Sequence, residues 1–378
     1  MMNNHSRSEF EQRLQRVRKK ISERNIDALI IYSQKRGHVR YVSGYSPNYH
    51  TNSALCLLPL KQEPTLWIKF AFDLPRAKAT SWLEDIRVAS YEDTRALVTE
   101  CAGAVRQLGL ERGRIGLVAS DLGVDEMSVS LDESIRNEMP KVQFEPASDI
   151  LNSIRLIKST AEIKHIRRAA QLADAVVDAL RKAIRPGKSD LSAVVSAEQV
   201  ARKEGARCDI IISTNSTKLA FPPSGANFHK KSVITCEITI ELNGYWVQVC
   251  RTLSVGRPAP EQQRVFAVSR SAYEAGLAAA RCGNTVATVW HAIHDSISRD
   301  GCKDWVQYGP GHGVGLDLPE LYPIDHNCDA RLDRGMVFIV HPAIWVPRRG
   351  AGWTGGPIVV GDGQPRKLDH PQAEIIEI

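Results

Sequence analysis

The chain has 378 residues, and its chemically versatile side chains are thinly spread. Eight cysteines, at positions 56, 101, 208, 236, 250, 282, 302 and 328, include no Cys-x-x-Cys pair. Such spacing suits neither a disulfide framework nor a structural zinc site, and predicts the reduced thiols of a cytoplasmic protein. Imidazole, with an unperturbed pKa of about 6.5, is the side chain made for proton transfer at neutral pH. Two of the 11 histidines have distinctive settings. His312 lies between glycines in Gly311-His312-Gly313-Val314-Gly315-Leu316, and His341 precedes Pro342 at the end of the apolar run Met336–Val340. His229, His291 and His294 lack such a setting and read as surface or packing residues.

The elements that must position these groups fall into two sets. Phe10, Leu14, Val17 and Ile21 recur at helical spacing, with Ser8 and Glu11 spaced as a capping box at the helix start. Strand-like runs follow at 27–32, 53–58, 65–68 and 114–118, with a helical stretch at 94–108. That alternation predicts a small α/β domain with a mixed sheet over residues 1–154. In residues 155–378, Ser159-Thr160-Ala161-Glu162 opens a long helix that ends at Arg185-Pro186-Gly187. A second helix runs from 190 to 204, and strands are expected at 209–213, 234–242 and 245–255, the last two joined by the hairpin signal Asn243-Gly244. Two further helices, at 260–281 and 285–299, precede a stretch rich in Gly and Pro with strands at 336–340 and 358–360. The pattern implies two halves of a curved sheet backed by helices.

The net charge is +6, but the basic residues are scattered, and Arg16-Val17-Arg18-Lys19-Lys20 lies on a helix face among acidic residues. No nucleic-acid partner is expected. No run of about 18 apolar residues exists, so no membrane span is expected, and the polar N-terminus does not read as a signal peptide.

Three ordered segments resemble the creatinase/prolidase/aminopeptidase P family. They are Glu162-Ile163-Lys164 through Arg185-Pro186-Gly187, Gly244-Tyr245 with Arg251-Thr252-Leu253, and Gly311–Leu316 followed by Gly335-Met336-Val337-Phe338. Weaker likeness lies in Asp27-Ala28-Leu29 and in Arg40 to Tyr45. The resemblance implies a creatinase-like N-terminal domain, a pita-bread catalytic domain and a homodimer. Peptidases of that family hold two divalent ions with two Asp, one His and two Glu. The matching positions carry Glu237, Gln248, His312, His341 and, on or near it, Thr354. Gln248 and Thr354 stand at the bridging positions and cannot supply a bridging anion, so neither a metal pair nor another cofactor is expected. Phe221 and Pro319 replace two further histidines of the family pattern.

The resemblance brings Glu237, Gln248, Cys250, His312 and His341 to one pocket. Glu237 would act as a base on water, with His312 and His341 moving protons. Gln248 would orient a substrate amide or guanidine, and Cys250 is a candidate nucleophile if an imidazole lowers its pKa. Phe221, Lys218, Arg348, Arg349 and Thr354 are assigned to substrate binding, as are Tyr45, Tyr49 and His50 of an N-terminal loop. Arg251 is expected to pin the sheet by a salt bridge. The leading expectation is a metal-independent, creatinase-type hydrolase of a C–N bond in a small polar metabolite. Three alternatives stay open: a lyase, cyclase or isomerase on the same scaffold; a mononuclear-metal Xaa-Pro peptidase-like enzyme using Glu237, His312 and His341; and a pseudoenzyme that binds protein.

Overall fold

The computed structural model describes residues 5–34, 37–47, 52–90, 93–119, 127–214, 220–306 and 308–378. Two compact units divide between Arg155 and Leu156. No helix among the described residues is long and apolar enough to cross a membrane.

The first unit is built on a sheet of β1 (Ala28–Ser33), β2 (Ala54–Pro59), β3 (Thr65–Ile68), β4 (Ile86–Val88), β5 (Arg114–Val118) and β6 (Gln143–Pro146), in the order β4-β3-β2-β1-β5-β6. Only β2 runs against its neighbours. Every residue of β1 and β2 is buried, which is why they read as continuous apolar runs without alternation. The helix Arg7–Glu23 buries Phe10, Leu14, Val17 and Ile21 as their spacing predicts. Its cap is Ser6, whose side chain accepts from the Glu9 N–H, and not Ser8, which already lies inside the first turn. The helices Val129–Glu138 and Ser148–Leu156 go beyond the sequence expectation; both are short, and short periodic segments carry a weak signal.

In the second unit Ser159 and Glu162 form the expected capping box of the helix Thr160–Ala183. A four-stranded sheet has β7 (Arg207–Ile212), β8 (Val233–Leu242) and β9 (Tyr245–Ser254) antiparallel, with β17 (Ile376–Glu377) added parallel to β9. Asn243 and Gly244 take φ of 55° and 83°, the twist that a two-residue hairpin needs. A second sheet joins β10 (Gly311–Gly313), β11 (Glu320–Pro323), β12 (Val337–Val340), β15 (Gly356–Val359) and β16 (Arg366–Lys367), in the order β11-β10-β12-β15-β16. A hairpin of β13 (Ala343–Val346) and β14 (Gly350–Trp353) lies between β12 and β15 in sequence. The helices Pro260–Ala279 and Val286–Arg299 bury Tyr273, Leu277, Val289 and Ile293 in one core with Phe338, Val340 and Ile358. A backbone bridge between Cys250 and Gly355 ties the two sheets together.

Candidate functional site

The site begins as a consequence of strand periodicity. Residues two apart on a strand share a face. Glu237 and Thr239 on β8 stand directly opposite Cys250 and Gln248 on β9. All four side chains are buried. The Gln248 amide Nε2 donates to Glu237 Oε1 at 2.9 Å and to Thr239 Oγ1 at 3.3 Å. The Cys250 thiol donates to Glu237 Oε2 at 3.8 Å.

β10 carries His312 to the same place. Its ring Nε2 lies 2.9 Å from Gln248 Oε1, and Nδ1 lies 2.9 Å from the Gly313 carbonyl. The flanking glycines are required by crowding: a Cβ at Gly311 would strike the Ile339 carbonyl, and one at Gly313 the Leu321 carbonyl. His341 follows β12, with its N–H donating to the Pro310 carbonyl at 2.9 Å. Its ring meets the His312 ring edge-on, with centroids 5.6 Å apart. His341 is completely buried, and neither ring nitrogen has a hydrogen-bond partner among the described residues. Tyr308 tilts over it at 5.3 Å, and Trp353 packs against both rings, 6.2 Å from His341 and 5.9 Å from Tyr308, donating from Nε1 to the His341 carbonyl at 3.1 Å.

Burial sets the electrostatics. It pushes the Glu237 carboxyl up to about 7, against a weaker downward pull from the Cys250 thiol. It drives Cys250 well above the ordinary thiol value, and the Glu237 charge adds to that. His341 falls to about 3, through burial and then the neighbouring His312. His312 is lowered by burial, against the Gly313 carbonyl, which favours its charged form. Tyr308 is raised by burial, then by Glu237 and Cys250.

Glu237, Gln248, Cys250, His312 and His341 therefore come together. Two of them do so in other guises than expected. The Cys250 thiol is a donor to a carboxylate in a sealed environment, the opposite of the electropositive setting that yields a reactive thiolate. Both N–H bonds of the Gln248 amide are spent inside the site, so it is not a free group for orienting substrate. Thr354 is buried beside Gly355, where β9 meets the chain after β14. Arg251, buried behind that bridge, donates to Asp369 at 2.8 Å, to Asp174 at 3.0 Å and to the Gly355 carbonyl at 2.9 Å, the pinning role expected of it. Phe221 is exposed and joins Ile212 by a backbone bridge. Arg348 and Arg349 are exposed at the turn between β13 and β14. Tyr45 is buried in the first unit, its hydroxyl donating to Asp73 at 2.5 Å, which leaves it no role at a pocket rim. Lys218, Tyr49 and His50 lie outside the described residues. Tyr308 escapes the sequence reading; its place four residues before His312 is the signal that could have found it.

These donors do not fit a pair of hard cations. Glu237 is the one carboxylate among them, and Gln248 already occupies Nε2 of His312. Among the described residues no group of three or more His, Cys, Asp or Glu is arranged to hold a metal ion.

A two-domain chain with a mixed-sheet N-terminal unit and a helix-backed pita-bread unit is the architecture this geometry defines. Residues 164–362 match metallopeptidase family M24, and residues 13–157 match the creatinase/prolidase N-terminal domain. The chain belongs to metallopeptidase family M24. It is 23% identical to the Xaa-Pro dipeptidase of Pyrococcus furiosus, over 97% of this chain and 100% of that protein. The Xaa-Pro dipeptidase structure from Bacillus anthracis superposes with a TM-score of 0.84 at 22% identity, covering 98% of this chain and 100% of the other. The X-Pro aminopeptidase structure from Thermotoga maritima gives 0.85 at 21% identity, over 97% and 99%.

Proposed function

We propose that the protein is a metal-independent hydrolase of the creatinase type, cleaving a C–N bond in a small polar substrate. The observation that carries this reading is the buried Glu237 carboxyl, poised near 7 and hydrogen-bonded through Gln248 to His312. A general base works best when its pKa lies near the working pH. Glu237 takes a proton from water as the oxygen attacks the electrophilic carbon of an amide or guanidine, and imidazole protonates the departing nitrogen. His341, a neutral ring with neither nitrogen hydrogen-bonded among the described residues, backs His312 at the buried end of the site, and the exposed Tyr308 phenol forms the approach. We further propose a cytoplasmic homodimer. The dipeptidase relatives support a bond flanked by a carboxylate, as at an Xaa-Pro dipeptide.

The test is elemental analysis of the purified protein, with chelated and untreated samples assayed on amides, guanidines and Xaa-Pro dipeptides. Turnover that survives chelation with less than about 0.1 metal per chain supports the reading. One tightly held ion whose removal abolishes activity overturns it. Product mass is decisive for the reaction class: hydrolysis adds water, and a product lacking that mass marks a lyase, cyclase or isomerase.

A further inference from the structure

Gln248 sits between two groups whose hydrogen-bonding demands depend on where one proton is. His312 Nδ1 faces the Gly313 carbonyl at 2.9 Å and must carry a hydrogen, since the alternative sets two acceptors against each other. Nε2 then carries a hydrogen only if the ring is cationic. With the amide oxygen turned to His312, Nε2 has to be N–H, and the amide NH2 faces an ionised Glu237. A half-turn of the amide reverses both demands. The NH2 then donates to the bare Nε2 of a neutral ring, and the amide oxygen accepts from a protonated Glu237. Amide oxygen and nitrogen are close to isosteric, so either orientation fills the space. Thr239 suits both, its hydroxyl accepting from the NH2 in the first and donating to the oxygen in the second.

We propose that Gln248 is a two-register switch that couples Glu237 to His312, so that a single proton is held by one or the other and the amide orientation follows it. The two registers contain equal numbers of protons: Glu237 carboxylate with His312 imidazolium, or Glu237 carboxylic acid with neutral His312. The groups packed around the pair bring no competing charge. Cys250, Cys236 and Tyr308 stay protonated on the Glu237 side, and His341 stays neutral beside His312. Arg251 is committed to Asp369 and Asp174. Burial raises Glu237 and lowers His312, both of which favour the neutral register at rest.

The switch deepens the hydrolytic reading and rests on it for its use. From the ionic register, Glu237 takes the proton of the attacking water as the C–O bond forms. The amide turns to accept from the new carboxylic acid. Its NH2 then opposes the imidazolium N–H, and His312 gives that proton to the nitrogen as the C–N bond breaks. The site is left in the neutral register, and returning the Glu237 proton to His312 through solvent restores the start.

The test needs no substrate. Protein 15N-labelled at histidine and glutamine is titrated by NMR in four forms: wild type, Glu237→Gln, Gln248→Met and the double variant, each checked by thermal melting. With Gln248 present, Glu237→Gln is expected to move the His312 midpoint by about one pH unit or more. In the Gln248→Met background, where a thioether fills the space without hydrogen bonds, the same change should move it by less than about 0.3. Equal movement in both backgrounds overturns the proposal, because a merely structural Gln248 leaves the Glu237–His312 interaction unchanged. Should Gln248→Met fail to fold, the wild type decides. The Gln248 side-chain 15N shift must follow the His312 titration, and a shift constant across that transition overturns the switch. Neither readout involves turnover, so failure of the hydrolytic reading and failure of the switch are separately visible.

Discussion

The Cys250 thiol points across the β8–β9 ladder at the Glu237 carboxylate, 3.8 Å from Oε2. Burial keeps that sulfur protonated, so it serves the carboxylate as a weak donor. Cys250→Ala is expected to retain activity within about fivefold, at a stability cost of about 1–2 kcal/mol for the small cavity left behind. Alkylation at pH 8 should modify the exposed Cys282 and leave Cys250 untouched, as read by mass spectrometry. Complete loss of turnover in Cys250→Ala would restore the nucleophile.

Glu237 makes stability fall with rising pH. Its ordinary value of 4.5 holds in the unfolded chain, while the folded carboxyl titrates near 7. Between those values the folded state binds more protons than the unfolded one, so the protein loses about 3 kcal/mol as pH climbs through that window. Glu237→Gln removes the titration. Relative to wild type it should gain stability between pH 5 and pH 8, as measured by urea unfolding at both. An unchanged difference would mean that the carboxyl is not held protonated.

His341 acts at the acid end. Its ring is neutral in the fold down to about pH 3, while the unfolded ring charges near 6.5. Its stabilising contribution is therefore whole above 6.5 and is lost on acidification, at about 1.4 kcal/mol per pH unit. His341→Phe, which keeps an aromatic ring against Tyr308 and Trp353, should flatten the acid limb of the stability curve between pH 6 and pH 4. A limb as steep as that of wild type would show that another group sets it.

His312→Ala should lower kcat/KM by roughly 10²–10⁴, the usual worth of a positioned acid–base group. Chelator should leave the residual rate unchanged. A loss of less than about threefold would remove His312 from the chemistry.

Tyr308→Phe isolates one hydroxyl. The ring still packs on His341 and Trp353, so the melting temperature should hold within about two degrees. Activity should fall about tenfold, the cost of one hydrogen bond to a bound substrate. Unchanged kinetics would place Tyr308 outside the site.

Much of the scaffold was legible because local chemistry decides it. The capping box at Ser159 and Glu162, the Asn243-Gly244 turn and the helical spacing of Phe10 to Ile21 each depend on neighbours in sequence. The strand signals of β8 and β9, with the hairpin between them, were legible too, and the structure adds the register that sets Glu237 opposite Cys250 and Thr239 opposite Gln248. Likeness of ordered motifs carried His312 and His341 to the same pocket. It also implied that bridging carboxylates are missing there.

The roles of those residues were decided only in three dimensions. A protonation state depends on solvent access and on partners brought from other strands, and neither is written in a residue's own neighbourhood. Cys250 read as a possible nucleophile until its burial against Glu237 was seen. Gln248 read as a substrate binder until β10 delivered an imidazole to its oxygen, 64 residues away in the chain. Tyr45 looked like part of a reaching loop, yet the fold spends its hydroxyl on Asp73. Tyr308 had only its closeness to His312 in the sequence to mark it, because its position over His341 arises from the turn of the chain into β10.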